Sequence, residues 1–129
     1  MKNCLTVLLV VAGAFFTQNL LAQTAAARWQ EMYDFHEVMS TTFHPAEEGN
    51  LQPLRAKADE LYNRAKAWKA AKVPAGYNAE KTADTLKRLV KQCKTIKKAV
   101  KANKSDAELT TLITNAHEVF HEIMEKCRS

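Results

Sequence analysis

Glycine is nearly missing from this chain: three residues in 129. No stretch alternates polar and apolar residues as a half-buried strand does. The two absences together argue against hairpins and sheets, and no glycine-rich loop is available to cradle a phosphate. Proline is equally scarce, at three, and each one punctuates a boundary instead of a repeat. Internal repeats and low-complexity segments are absent. No Ser, His and Asp appear in an order that suggests a hydrolytic triad, and no aromatic-basic interleaving suggests nucleic acid. A mildly basic balance of +5 does not point to nucleic acid either.

The chain does have an export pattern at its start. Lys2 precedes an apolar run from Leu5 to Phe16, broken only by Thr6 and Gly13. Leu20-Leu21-Ala22-Gln23 then offers a small residue at a cleavage point. Residues 1–22 are read as a secretory signal peptide and residues 23–129 as one domain, exported to a periplasm or the exterior. Gln18 and Asn19 interrupt the run before it reaches the roughly 20 residues needed to span a bilayer. Cys4 lies too early for a lipoprotein cleavage site. Loss of Lys2 with the leader takes the net charge from +5 to +4.

The rest reads as four amphipathic helices with short connections, an all-α, antiparallel up-down-up-down four-helix bundle. The first is expected from about Ala25 to Phe43, stopping at His44-Pro45 because the residue before proline is pushed out of helical geometry. Glu47 to Asn50 form a turn, with Asn50 as N-cap of a second helix reaching about Lys72. Asn78 caps a third, to about Ala102. Ser105-Asp106-Ala107-Glu108 is a capping box for a fourth, to about Cys127. The apolar stripe of the first helix is read as Trp29, Met32, Tyr33, His36, Met39, Ser40 and Phe43. The third carries Leu86, Leu89, Cys93 and Ile96 on its inner face.

On the fourth helix, His117-Glu118-Val119-Phe120-His121 reads H-E-x-x-H. Residues four apart lie on one helical face, so the two imidazoles can share one metal ion. The same letters mark zinc metalloproteases, in which the Glu acts as general base. That reading needs a third ligand, an open coordination position and a cleft. Only Glu122 and Glu125 follow as carboxylates, no strand is available to align a peptide, and Glu118 falls on the outer face. The chain is therefore read as a binder without turnover, not an enzyme.

Counting along antiparallel helices at about 1.5 Å per residue puts Met32 level with His117, His36 a turn away, and Cys93 level with Thr114. The expected metal set is His36, His117 and His121, completed by Met32, Met39 or Cys93. Copper or zinc fits imidazole and thiolate donors. A histidine bonded structurally to Tyr33, Tyr62 or Ser40 is the simpler alternative for His36. His44, Glu47 and Glu48 form a candidate second site in the first loop. The same count holds Cys93 and Cys127 about 20 Å apart, too far for a disulfide within one chain. Cys127 is left free or available to pair between chains. Lys87, Arg88, Lys91, Lys94, Lys97, Lys98, Lys101 and Lys104 form a basic run, either a solvated outer face or a docking face for an acidic protein or anionic surface.

An exported chain of this length, with Met32 on the first helix and His117 or His121 on the last, resembles the periplasmic b-type cytochromes built as four-helix bundles. It is similar in plan to the cytochromes c-prime. The resemblance implies a haem b held between Met32 and His117 and a role in electron transfer. No C-x-x-C-H is present, so covalent haem attachment is excluded, and Trp29 and His36 crowd the place beside Met32. The preferred reading is a copper or zinc binder, with a haem protein and a ligand-free structural or interaction module as alternatives.

Overall fold

A computed structural model describes residues 29–129. The leader, Cys4 and the expected helix start at Ala25 lie outside the described residues. Four helices follow: α1 Gln30–Glu47, α2 Gln52–Ala70, α3 Ala79–Lys101 and α4 Asp106–Lys126. They form an all-α bundle without a strand among the described residues. Each helix packs on its neighbour in sequence, and the first packs on the last.

The boundaries follow from local chemistry. Asn78 accepts a hydrogen bond from the Lys81 amide, and Ser105 accepts one from the Glu108 amide, so both caps expected for α3 and α4 form. The second helix begins differently. Leu51 occupies the N-cap position with no side-chain cap, and Pro53 sits in the first turn. Asn50 still contributes, because its side chain accepts from the Gln52 amide at 3.2 Å.

The largest departure in α1 is its end. The helix runs through His44-Pro45 to Glu47. Proline in a last turn deletes one bond, from its own nitrogen to the Thr41 carbonyl. Thr41 is exposed, so water can satisfy that carbonyl. Continuing the helix buries Ala46 at 2% exposure. Gly49, at φ +86°, then supplies the left-handed residue that ends the turn.

The core is built from the inner faces of all four helices. Phe35, Met39, Leu54, Leu61, Trp68, Leu89, Ile113 and Ile123 are fully buried or nearly so. Phe35 lies 5.4 Å from Trp68 and 5.8 Å from Phe120, centroid to centroid. Trp29, expected in the core, is buried against Trp68 and Tyr77. Two ties close the ends. Arg55 of α2 donates to the Lys104 carbonyl and to Asp106 at 2.9 and 2.8 Å. The Asn78 amide donates to the Cys127 carbonyl at 2.8 Å, and the Ser129 amide to that of Gly76 at 2.9 Å.

The inner face of α1 differs from the expected one. Phe35, Val38 and Thr42 are buried with Met32, Met39 and Phe43, whereas Tyr33 and His36 are exposed. At about 100° per residue, this turns the helix by roughly a quarter of a revolution. The turn seats one large aromatic side chain, Phe35, in place of an imidazole whose ring nitrogens need partners.

This assignment has a direct consequence for stability. Phe35→Ala should destabilise the fold by about 3–5 kcal/mol. His36→Ala, at an exposed position, should cost less than about 1 kcal/mol. Urea unfolding of both variants checks this, and the reverse order would contradict the assigned rotation of α1.

Candidate functional site

The four histidines of the chain gather on the surface where α1 meets α4. From α4, the His117 ring stacks on Phe43 at 3.8 Å between centroids and 14° between planes. From α1, the His36 ring stacks on Phe120 at 5.2 Å and 10°. These two stacks interlock the helices, each placing an imidazole of one over a phenyl ring of the other. His36, Ser40 and His44 recur every four residues, so they share one face of α1. Because α1 continues through Pro45, His44 is held by the helix itself and needs no folding back of a loop.

The H-E-x-x-H pair is closed. The Nε2 atoms of His117 and His121 lie 3.2 Å apart. The other ring nitrogen of His121, Nδ1, faces Glu125 at 3.4 Å. His44 repeats the arrangement, with Nδ1 at 3.3 Å from Glu47. A carboxylate on Nδ1 fixes the tautomer and leaves Nε2 as the free lone pair, the arrangement that supports histidine ligands from behind. Glu118 points away and is exposed.

His117 is the half-buried member, and its proton affinity is depressed. Loss of solvation is the main cause. The neighbouring imidazoles of His121, His44 and His36 add repulsion, and the Glu47 carboxylate partly offsets it. Near pH 7 His117 is therefore held neutral with a lone pair to give.

The remaining expected ligands lie elsewhere. Met32 does not share a level with His117. Its sulfur accepts from the Tyr77 hydroxyl at 3.9 Å, whereas the α1 residue beside His117 is Phe43, about 16 Å further along the helix axis. Met39 and Cys93 are fully buried. Burial pushes the Cys93 thiol up to about 12, so its thiolate is strongly disfavoured there. Cys127 is buried at the end of α4 with its Sγ 3.6 Å from Thr85 Oγ1, which hides it from a second chain. Both cysteines are free. Glu48 is exposed just past α1.

Among the described residues, no three His, Cys, Asp or Glu side chains are grouped so that they could hold a metal ion as they stand. The preformed unit is the two-imidazole pair, with His36 and His44 as exposed neighbours. Of the second site expected from His44, Glu47 and Glu48, the structure pairs His44 with Glu47. Three features were missed in the sequence: the Phe43 and Phe120 stacks, Glu125 as the partner of His121, and His44 as a helical residue. Spacing could have found Glu125, which lies four residues after its histidine. No protein family, curated protein or solved structure matches the chain.

Because His117 binds its proton more weakly folded than unfolded, the unfolded chain takes up that proton first as pH falls. Its contribution to stability is complete above the ordinary imidazole value of about 6.5 and declines below it until the lower folded value is passed. Melting temperatures of metal-free protein should fall between pH 7.5 and 5.5, and His117→Asn should flatten that slope. An unchanged slope in the variant would place the effect elsewhere.

Proposed function

We propose that this chain is an exported protein that binds one copper or zinc ion at the His117–His121 pair, buffering the metal without turnover. The helices are taken in up-down-up-down order, and residues 1–22 as the export leader. The observation that carries the reading is the 3.2 Å separation of the two Nε2 atoms. Metal–imidazole bonds of about 2.0–2.1 Å drawn from two nitrogens so spaced meet at roughly 100°, near the tetrahedral angle. The same spacing suits a single N–H···N hydrogen bond, in which the shared proton occupies the ion's place. Metal and proton therefore compete for the pair.

Two donors alone do not hold a structural ion, which takes four. His36 and His44 flank the pair from α1 and are exposed, so their rings can change rotamer within nanoseconds. Either one can swing a third nitrogen toward the ion, and water fills the remaining position. This donor set is nitrogen and oxygen only. Met32, Met39 and Cys93 are too distant or too deeply buried to join it, which favours Cu(II) or Zn(II) over Cu(I). The haem reading has no comparable support, because Met32 on α1 lies about 16 Å along the bundle from Phe43, the α1 residue beside His117 on α4.

Isothermal titration of the protein with Zn(II), Cu(II) and Cu(I) tests the proposal. One site tighter than about micromolar is expected for Zn(II) or Cu(II). His117→Ala or His121→Ala should abolish that site, and Glu125→Gln should weaken it by about 10–100-fold. Failure to bind either divalent ion, or binding that survives both histidine substitutions, would overturn the assignment.

A further inference from the structure

The net positive charge of this protein is concentrated on one helix. α3 carries eight Lys and Arg against two acids, Glu80 and Asp84, both placed before the basic residues crowd together. Its surplus of six exceeds the +5 of the entire chain, so everything outside α3 sums to a slight negative charge. Within α3, Lys87, Lys91, Lys94, Lys98 and Lys101 are all exposed. Their spacing of four, three, four and three residues keeps them within an arc of about 80°. They form a straight cationic line about 21 Å long on the outer face.

The neighbours of this line are treated differently. Arg88, which points toward α4, is paired with Glu122. Lys97, which points toward α2, is 3.7 Å from Asp59. Among the described residues, no carboxylate lies within ion-pair reach of the five lysines on the line. The bases that face neighbouring helices are neutralised, and the line that faces outward is not.

We propose that this face of α3 docks on an anionic phospholipid surface. The line holds only lysine, with no Arg fork, Tyr or Trp. Protein interfaces are depleted in Lys and anchored by aromatic and Arg side chains. Single-stranded nucleic acid needs aromatic platforms. The only exposed large hydrophobic side chain among the described residues is Tyr33, on α1. A membrane of smeared negative charge requires none of these features, because its attraction for lysine ammoniums is diffuse and additive. An apolar groove of about 610 Å³ opens at one end of the line. Ala99, Ala102, Ala107 and Leu112 give it apolar walls, Lys98 and Lys104 border it, and Glu108, Thr95 and Thr111 complete the lining. No helix among the described residues is long and apolar enough to cross a membrane, so docking of this domain is peripheral.

Co-sedimentation with vesicles tests this, performed in chelator so that the result is independent of metal binding. Vesicles of neutral phosphatidylcholine are compared with vesicles containing about 30 mol% phosphatidylglycerol, a level typical of a charged leaflet. Binding is expected only to the anionic vesicles and should decay steeply as salt is raised. The triple variant K91Q/K94Q/K98Q should lose on the order of 100-fold in partitioning, about fivefold per lysine. Circular dichroism establishes that the variant is folded, and should it lose helicity, Lys94→Gln alone should lose about fivefold. Absence of binding to anionic vesicles, equal binding to both vesicle types, or unchanged partitioning of a folded variant would overturn the proposal.

Discussion

The seating of Phe35 against Trp68 and Phe120 fixes the rotation of α1 about its own axis, and the candidate site depends on that rotation. With Phe35 inward, Phe43 reaches the surface seam under His117, and His36 comes to lie over Phe120. His36, Ser40 and His44 then face α4 from outside the core. A quarter-turn the other way would bury His36 in place of Phe35 and take it out of the surface cluster. The aromatic contacts thus decide whether His36 joins the other three histidines at the surface.

Such a seam is a reasonable place for an adjustable site. Its rings rest on phenyl groups, which supply apolar support and dispersion without competing for the imidazole nitrogens. Carboxylates behind two of the rings hold Nδ1, so that Nε2 carries the lone pair. Mutual repulsion and partial burial keep His117 neutral. His117 therefore resists protonation more strongly than an isolated surface histidine would. The lysine line lies on α3, which packs on α2 and α4 and not on α1.

Much of the fold was legible from the chain. Polar caps at Asn78 and Ser105, proline near helix ends and scarce glycine marked four helices, because these signals act within one turn. The H-E-x-x-H pairing was legible for the same reason, being set by helical pitch alone. The rotation of α1 was not. Trp29, Met32, Met39 and Phe43 fit two overlapping stripes, one centred on His36 and one on Phe35, and local periodicity does not separate them. The partner across the interface separates them, since only Phe35 fills the space beside Trp68 and Phe120. The longitudinal register failed in the same way. Ending α1 at Phe43 shortened the helix by a turn, which accounts for about 6 Å of the roughly 16 Å by which Met32 was misplaced; the rest came from taking the end of α1 as level with the start of α4. Pro45 was misleading because one lost hydrogen bond near a helix end costs less than the burial of Ala46 returns.

The most direct test of the account is X-ray absorption of the zinc-loaded protein. It predicts a first shell of nitrogen and oxygen at about 2.0–2.1 Å, with imidazole scattering from two or three histidines. A sulfur shell near 2.3 Å would contradict it, because it would require Cys93 or Cys127 to leave the core and would move the metal away from the seam between the first and last helices.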